Sequence, residues 1–139
     1  DLNIEKIFEV LKRIYSINCK KYFDYIWNKN LILWDIHSSN FFEINDNLNV
    51  NIWVFDFSSC SIWEIETDLA CFYIETSLND KILNEFINYL NLNIDNKKIY
   101  IYSILKIKQM MKTWLNMNKK RQIKYLEYLK ELKIKLWII

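Results

Sequence analysis

Apolar residues recur along most of this chain at intervals of three and four, the spacing that places side chains on one face of an α-helix. The pattern is clearest in residues 3–17, where Ile4, Ile7 and Leu11 share a face. The same spacing predicts further helices over residues 19–28, 67–76, 79–90, 98–117 and 120–136.

Two stretches between the predicted helices have the character of strands. Residues 41–44 and 50–55 are short apolar runs separated by an Asn- and Asp-rich turn at residues 45–47, which predicts a β-hairpin. Residues 58–65 are predicted to be a loop. The pattern therefore predicts a mainly helical α+β fold, and no linker or repeat divides residues 1–139 into more than a single domain.

Side chains that suit helix capping stand at two of the predicted helix starts. Thr67 and Asp68 open one segment, and Asn79 and Asp80 open the next. Their oxygens can accept hydrogen bonds from the free backbone N–H groups of a first helical turn. We therefore predict that both helices begin at these residues.

The chain contains no Gly and no Pro. Either extremely AT-rich coding or a deliberately restricted amino-acid alphabet explains this composition, and the sequence leaves both explanations open. Turns that need a positive φ must then be made by Asn or Asp, which tolerate the left-handed region better than other residues. Asn28, Asn30, Asn91 and Asn93 stand where predicted helices end.

Charge and cysteine content narrow the class of protein. The net charge is +2 and is spread along the chain, so we expect no nucleic-acid partner. Cys19, Cys60 and Cys71 form no C-x-x-C pair and leave an odd count, which favours reduced thiols. No segment approaches the ~20 apolar residues of a membrane span, and the N-terminal segment lacks a signal-peptide pattern. We therefore expect a cytoplasmic protein with no membrane partner.

Four polar residues flank the predicted hairpin in sequence, two before it and two after it. Asp35 and Asn40 stand five residues apart before the first strand, Asp56 follows the second strand, and Asp68 opens the next helix. Kinase-like phosphotransferases use such an order, because one Asp meets the acceptor hydroxyl while an Asn and a second Asp hold Mg²⁺. These spacings predict a phosphate-transfer site.

Three motifs resemble the catalytic core of the aminoglycoside phosphotransferase and choline kinase-like family. That family has His-Gly-Asp-x-His-x-x-Asn, then a strand that ends in Asp, then Asp-Leu-Ala. Here residues 33–40 read LWDIHSSN, residues 54–57 read VFDF and residues 68–70 read DLA. The resemblance implies a protein-kinase-like fold, of which this chain would form the C-terminal lobe with helices around the hairpin.

The resemblance also implies a role for each matching residue. Asp35 would be the catalytic base, and Asn40 and Asp56 would bind Mg²⁺. His37 would lie in the catalytic loop behind them, and Asp68 would be a structural anchor. The implied cofactors are Mg²⁺ and ATP, and the implied partner is a small molecule with a hydroxyl group that accepts the γ-phosphate.

The sequence departs from the family pattern at several positions. Leu33 and Trp34 stand where the family has His and Gly, and Ser58 stands where Gly or Asp is common. The 32 residues before Leu33 leave no room for the family's N-terminal lobe with its phosphate-binding Lys. A separate N-terminal lobe or a homodimer is therefore an expected partner.

Several candidate residues have simpler interpretations. His37 is the only histidine, and it either serves as a base or forms hydrogen bonds within a loop. The stretch at residues 58–60 contains Ser and Cys, and turn formation explains it better than a nucleophile does. The Lys-rich segment at residues 106–135 resembles an RNA-binding surface, but Glu127 and Glu131 favour a solvated helix face.

Six tryptophans are present. Trp53, Trp114 and Trp137 fall on apolar faces and are predicted to be core. Trp34 and Trp63 flank the motifs, and the sequence leaves open whether one of them lines a pocket. The family resemblance implies that an acceptor site would draw on the helices after Asp56, within residues 63–114. There Glu64, Glu66 and Glu75 are candidate acidic walls for a cationic acceptor.

Two other functions remain open from the sequence. The first is a non-catalytic helical interaction module, because a lobe without its partner leaves an apolar surface uncovered. The second is a degenerate or artificial scaffold that has no activity.

Overall fold

A computed structural model of the chain describes residues 4–17, 30–33, 36, 40–46, 49–54, 60–113 and 118–138. The predicted helix over residues 19–28 lies outside these ranges. Five helices and four strands occur in the described part: α1 (Ile4–Tyr15), β1 (Asn30–Ile32), β2 (Phe41–Asp46), β3 (Asn49–Val54), β4 (Ser61–Trp63), α2 (Ile65–Glu75), α3 (Asp80–Leu90), α4 (Asn96–Thr113) and α5 (Lys119–Ile138). The predicted mainly helical α+β class is confirmed.

The strands form two antiparallel pairs. β2 and β3 make the predicted hairpin, with Phe41 opposite Val54 and Asp46 opposite Asn49. β1 pairs with β4. This second pair corrects the prediction of a loop over residues 58–65. Strands of three residues are too short to show an alternating pattern in sequence.

Helix α2 is the centre of the fold. It begins at Ile65, so the prediction that Thr67 and Asp68 cap its start is wrong. Residues 65–74 are all buried. A helix that is enclosed on every side has no polar face, and its sequence therefore carries no clear boundary signal.

The aromatic part of the core joins α1, α2 and α3. Phe8 stacks on Phe86 with the ring centroids 4.3 Å apart, and Phe72 meets Phe86 edge-on at 5.1 Å. Stacked and edge-to-face ring pairs attract each other electrostatically, which adds to the stabilisation from burying their apolar area. The three helices are therefore held by one continuous ring cluster.

Helix ends are formed without Gly. Asn79 caps α3 by accepting a hydrogen bond from the Ile82 N–H, and Asn91 ends it at φ 52°, as both were predicted to do. Ser77 and Leu78 also take positive φ, at 60° and 56°, so the prediction that only Asn or Asp would make such turns is wrong at these two residues. A left-handed conformation costs about 1–2 kcal/mol at a residue with a Cβ. The turn between α2 and α3 therefore contains local strain.

The two last helices pack largely as predicted. Ile107 of α4 and Leu132 of α5 are fully buried. Trp137 was predicted to be core, but it is 90% exposed, because it lies about 140° around the helix from Leu132. Trp114 and the side chain of Trp53 lie outside the described part of the chain. No helix in the described ranges is both long enough and apolar enough to cross a bilayer.

Lys135 connects α5 to the helices beneath it. Its Nζ donates hydrogen bonds to the Asp80 carboxylate at 2.6 and 2.8 Å and to the Tyr73 hydroxyl at 2.7 Å. Burial lowers the pKa of Lys135, but the bonds to Asp80, Tyr73 and Glu131 outweigh it and raise the pKa. Burial raises the pKa of the Asp80 carboxyl, but its bonds to Lys135 and Tyr73 make the net shift downward.

We expect Lys135→Met to lower the free energy of unfolding by about 0.5–1 kcal/mol, because the Asp80 carboxylate loses its cation but is 53% exposed and therefore screened by water. The measurement is urea denaturation at pH 7, and Lys133→Met, at an exposed position of the same helix, is the control. Equal stability of the two variants would contradict the assigned role.

The same interaction should depend on pH. The pKa of Asp80 is lower in the folded chain, so its contribution is present above the ordinary value of about 3.9 and is lost as pH falls through the folded pKa. The stability difference between wild type and Lys135→Met should therefore shrink in acid. A difference that is unchanged down to pH 2 would contradict this linkage.

Candidate functional site

The described part of the chain includes two of the predicted site residues. Asn40 is half-buried and immediately precedes β2, and Asp68 lies in α2. Asp35, His37 and Asp56 lie outside the described residues, and their roles stay predictions.

Asp68 is fully buried and connects α2 to the segment that leads to Asp35. Its Oδ2 accepts a hydrogen bond from the Leu33 backbone N–H at 2.7 Å and one from the Tyr15 hydroxyl at 3.2 Å. Hydrogen bonds to an ionised carboxylate are stronger than neutral ones. Asp68 therefore fixes the chain two residues before Asp35 against the central helix.

The Tyr15 hydroxyl is a hydrogen-bond donor to the Asp68 carboxylate. Burial raises the pKa of the Tyr15 hydroxyl well above its usual range, and the negative charge of Asp68 and the hydrogen bond to it raise the pKa further. The hydroxyl is consequently protonated at neutral pH and remains a donor. Helix α1 thus supplies the second hydrogen bond that stabilises the buried charge.

The hairpin joins the two predicted metal-binding positions. Because Phe41 lies opposite Val54, the chain enters β2 from Asn40 at the same end of the hairpin at which it leaves β3 toward Asp56. An Asn amide oxygen and an Asp carboxylate are hard oxygen donors of the kind that Mg²⁺ prefers, so the residue types fit this metal. Among the described residues alone, no three His, Cys, Asp or Glu side chains cluster as a metal site.

A cavity of about 230 Å³ lies between the first half of α2 and α4, beside the end of β4. Trp63 lines it, which is one of the two alternatives that its sequence position leaves open. The cavity is lined by Trp63, Thr67, Cys71, Tyr102, Leu105, Lys106 and Gln109. Sequence spacing could not have paired Thr67 with Tyr102, because the two residues belong to different helices.

The candidate acidic residues already have partners. Glu64 accepts a hydrogen bond from the Tyr102 hydroxyl at 2.6 Å and forms an ion pair with Lys98 at 3.1 Å. The buried Glu66 accepts a hydrogen bond from the Asp95 N–H at 3.2 Å. Both carboxylates are therefore already paired within the protein, which weakens the hypothesis that they bind a cationic acceptor.

A larger cavity, about 630 Å³, lies at the opposite end of α2 and is lined mostly by α5. Two cations stand over its aromatic walls: Arg121 lies 5.6 Å from the Tyr125 ring and Lys124 lies 5.3 Å from the Tyr128 ring. Glu75 lines this cavity rather than the one near β4. Its place at the last turn of α2 separates it from the segment held by Asp68.

The structure is similar to two crystal structures of LicA. The structure of LicA in complex with AMP matches with a TM-score of 0.68 and 15% identity, over 94% of this chain and 62% of that chain. Choline kinase LicA from Streptococcus pneumoniae matches with a TM-score of 0.59 and 17% identity, over 91% of this chain and 48% of that chain. The chain thus spans about half to three fifths of the LicA chains.

Neither a protein-family model nor a curated protein matches the sequence. The structural matches show the fold, and they confirm the predicted kinase-like fold with a helical C-terminal lobe.

Proposed function

We propose that this chain is the C-terminal lobe of a phosphotransferase that moves the γ-phosphate of ATP to a hydroxyl of a small molecule. The observation that carries the proposal is the fold shared with choline kinase LicA, in a sequence that has Asp35, Asn40 and Asp56 in the order typical of such enzymes. The AMP in the other LicA structure supports an adenine nucleotide as the phosphate donor.

The proposed reaction uses few protein groups. The acceptor O–H bond breaks and a new O–P bond forms, while the γ-phosphorus leaves the ADP oxygen. Asp35 orients the hydroxyl and takes its proton. Asn40 and Asp56 would hold Mg²⁺, which neutralises phosphate charge when it is bound. Such catalysis consists mainly of positioning and charge neutralisation.

Asp68 contributes indirectly to the positioning of Asp35. Its bond to the Leu33 N–H holds the backbone two residues before Asp35. His37 would hydrogen-bond within the same segment. The wall of the nucleotide site that includes the phosphate-binding Lys would come from an N-terminal lobe or from a second copy, and the reaction would take place in the cytoplasm.

We expect the chain to bind Mg-ATP, and we expect Asp56→Asn to weaken this binding at least about tenfold, or about 1.4 kcal/mol. The variant removes the charge of one proposed metal ligand. The measurement is calorimetric titration, with Glu85→Gln as the control because it removes one carboxylate at an exposed position of α3. Binding that survives in Asp56→Asn would overturn the proposed metal site, and a folded wild type that binds no Mg-ATP would overturn the expectation that this lobe binds the nucleotide by itself.

A non-catalytic interaction module is the second candidate. The exposure of Ile134 and Trp137 on α5 favours it, because large apolar side chains that share a helix end commonly contact another molecule. Sedimentation distinguishes the two candidates: a stable dimer that binds no nucleotide would favour the interaction module.

A further inference from the structure

The outer face of α5 carries large apolar side chains that the core does not use. The opposite side of the helix is buried through Tyr125, Tyr128 and Leu132. The outer apolar residues are each at least 49% exposed: Ile123, Leu126, Ile134, Trp137 and Ile138. Ile134 follows Ile123 after about three helical turns, and Trp137 follows Leu126 in the same way. These four side chains therefore form two adjacent rows along the helix, which we call the outer rows.

Positive charge accompanies the outer rows. Four exposed lysines stand on or beside them: Lys119, Lys120, Lys130 and Lys133. None of the four forms an ion pair with a residue that the structure describes, and Glu131 is paired with Lys135 at 3.0 Å. Helix α5 contains seven basic and two acidic residues, whereas the net charge of the whole chain is only +2. The positive charge is therefore concentrated in α5, which corrects the expectation that it is spread along the chain.

Exposed apolar rows combined with lysines are complementary to the surface of an anionic membrane. The apolar side chains of an interfacial helix enter the boundary between headgroups and acyl chains, while lysines extend toward the lipid phosphates. Trp137 is the most exposed of the apolar residues, and Trp is enriched at that boundary. A nucleic acid would engage the lysines through its phosphates, but it offers no apolar layer for Ile123 and Ile134. The combination therefore favours lipid over nucleic acid.

We propose that α5 docks the chain on the surface of a membrane that contains anionic phospholipid, with the helix axis in the plane of the membrane. The outer rows enter the interface, and Lys130, which lies between them, pairs with lipid phosphate together with Lys133 at their side. The expectation of no membrane partner rested on the lack of a spanning segment, and surface binding requires none. The proposal does not depend on the phosphotransferase function, because it uses no residue of that site.

The test is co-sedimentation of the chain with sucrose-loaded vesicles of phosphatidylcholine that contain about 30% phosphatidylserine. We expect the chain to bind these vesicles at least about tenfold more tightly than vesicles of phosphatidylcholine alone. Binding should weaken when NaCl is raised from about 0.1 M to about 0.5 M, because salt screens the attraction between lysines and lipid headgroups.

Two pairs of variants separate the contribution of charge from that of net charge alone. Lys130→Gln combined with Lys133→Gln should weaken binding to the anionic vesicles at least about tenfold. The matched control is Lys12→Gln combined with Arg13→Gln, which removes two exposed cations from α1 and should leave binding nearly unchanged.

The apolar contribution has its own variant. Trp137→Ala should weaken vesicle binding about tenfold, because less apolar area enters the interface. The control is Leu92→Ala, which truncates an exposed apolar side chain between α3 and α4. All the substituted side chains are exposed, so thermal unfolding of each variant should match that of the wild type.

Several results would overturn the proposal. They are no binding of the folded wild type to anionic vesicles, equal binding to neutral vesicles, and losses in the control variants as large as those in the α5 variants. Tighter binding to polyuridylate or polyglutamate than to vesicles would assign the lysines to RNA or to an acidic protein instead. A dimer that Trp137→Ala dissociates would assign the outer rows to a second copy of the chain.

Discussion

Asp68→Ala is expected to lower the free energy of unfolding by about 2–5 kcal/mol, one of the two largest effects that the structure predicts for a single substitution. The substitution leaves two buried donors, the Leu33 N–H and the Tyr15 hydroxyl, without their acceptor. Each unsatisfied donor costs about 1–3 kcal/mol. Urea denaturation followed by circular dichroism measures the change.

Two milder variants separate the two hydrogen bonds. Tyr15→Phe removes the 3.2 Å bond alone and should cost less than Asp68→Ala. Asp68→Asn retains one acceptor oxygen, so it should stay folded, but it should weaken Mg-ATP binding because the segment before Asp35 is held less firmly. A loss below about 0.5 kcal/mol for Asp68→Ala would contradict this role, since that is the range of neutral surface substitutions.

Phe86→Ala is expected to destabilise the chain by about 3–5 kcal/mol, through lost burial and a cavity that the surroundings fill only partly. Phe86 is fully buried between the rings of Phe8 and Phe72. Urea denaturation again gives the measurement. Tyr89→Ala is the control, because the Tyr89 ring is partly exposed and touches Phe8 only at the edge of the cluster.

Phe86→Leu keeps most of the volume and should cost less than about 1.5 kcal/mol. A similar loss for Phe86→Leu and Phe86→Ala would show that ring stacking rather than cavity formation dominates. A loss for Phe86→Ala no greater than that for Tyr89→Ala would contradict the central place of this ring in the core.

The amphipathic helices were predictable because each carries its information locally. Helix α1 shows one apolar face, and α3 is capped by Asn79, whose side chain accepts a hydrogen bond from a backbone N–H three residues away. Asn91 likewise ends α3 where a chain without Gly needs a residue that tolerates positive φ. These features depend only on neighbours in sequence.

The start of α2 could not be predicted, because its decisive contact is not local. Asp68 has the residue type of a helix cap, but its partner is Leu33, 35 residues earlier. The short strands β1 and β4 were missed for the same reason, since each exists only through the other. Trp137 was misplaced because an apolar residue in the last turn fits the helical spacing without having a neighbour to pack against.

The candidate site also has one part that was predictable from the sequence and one part that was not. The order of Asp35, Asn40, Asp56 and Asp68 was visible in sequence because it resembles the order of motifs in the aminoglycoside phosphotransferase and choline kinase-like family. The cavity was not visible, because it arises where α2 packs on α4 and brings Thr67 to Tyr102.

The most direct test of the proposed phosphotransferase site is paramagnetic broadening of backbone amide signals by Mn²⁺-ATP, with Mn²⁺ in place of Mg²⁺. We expect the amides of Asn40, Phe41 and Leu33 to lose intensity first, and those of α5, including Trp137, to keep theirs. Asp56→Asn should remove the effect. Broadening centred on α5, or a pattern that is the same in Asp56→Asn, would contradict a metal–nucleotide site at the hairpin.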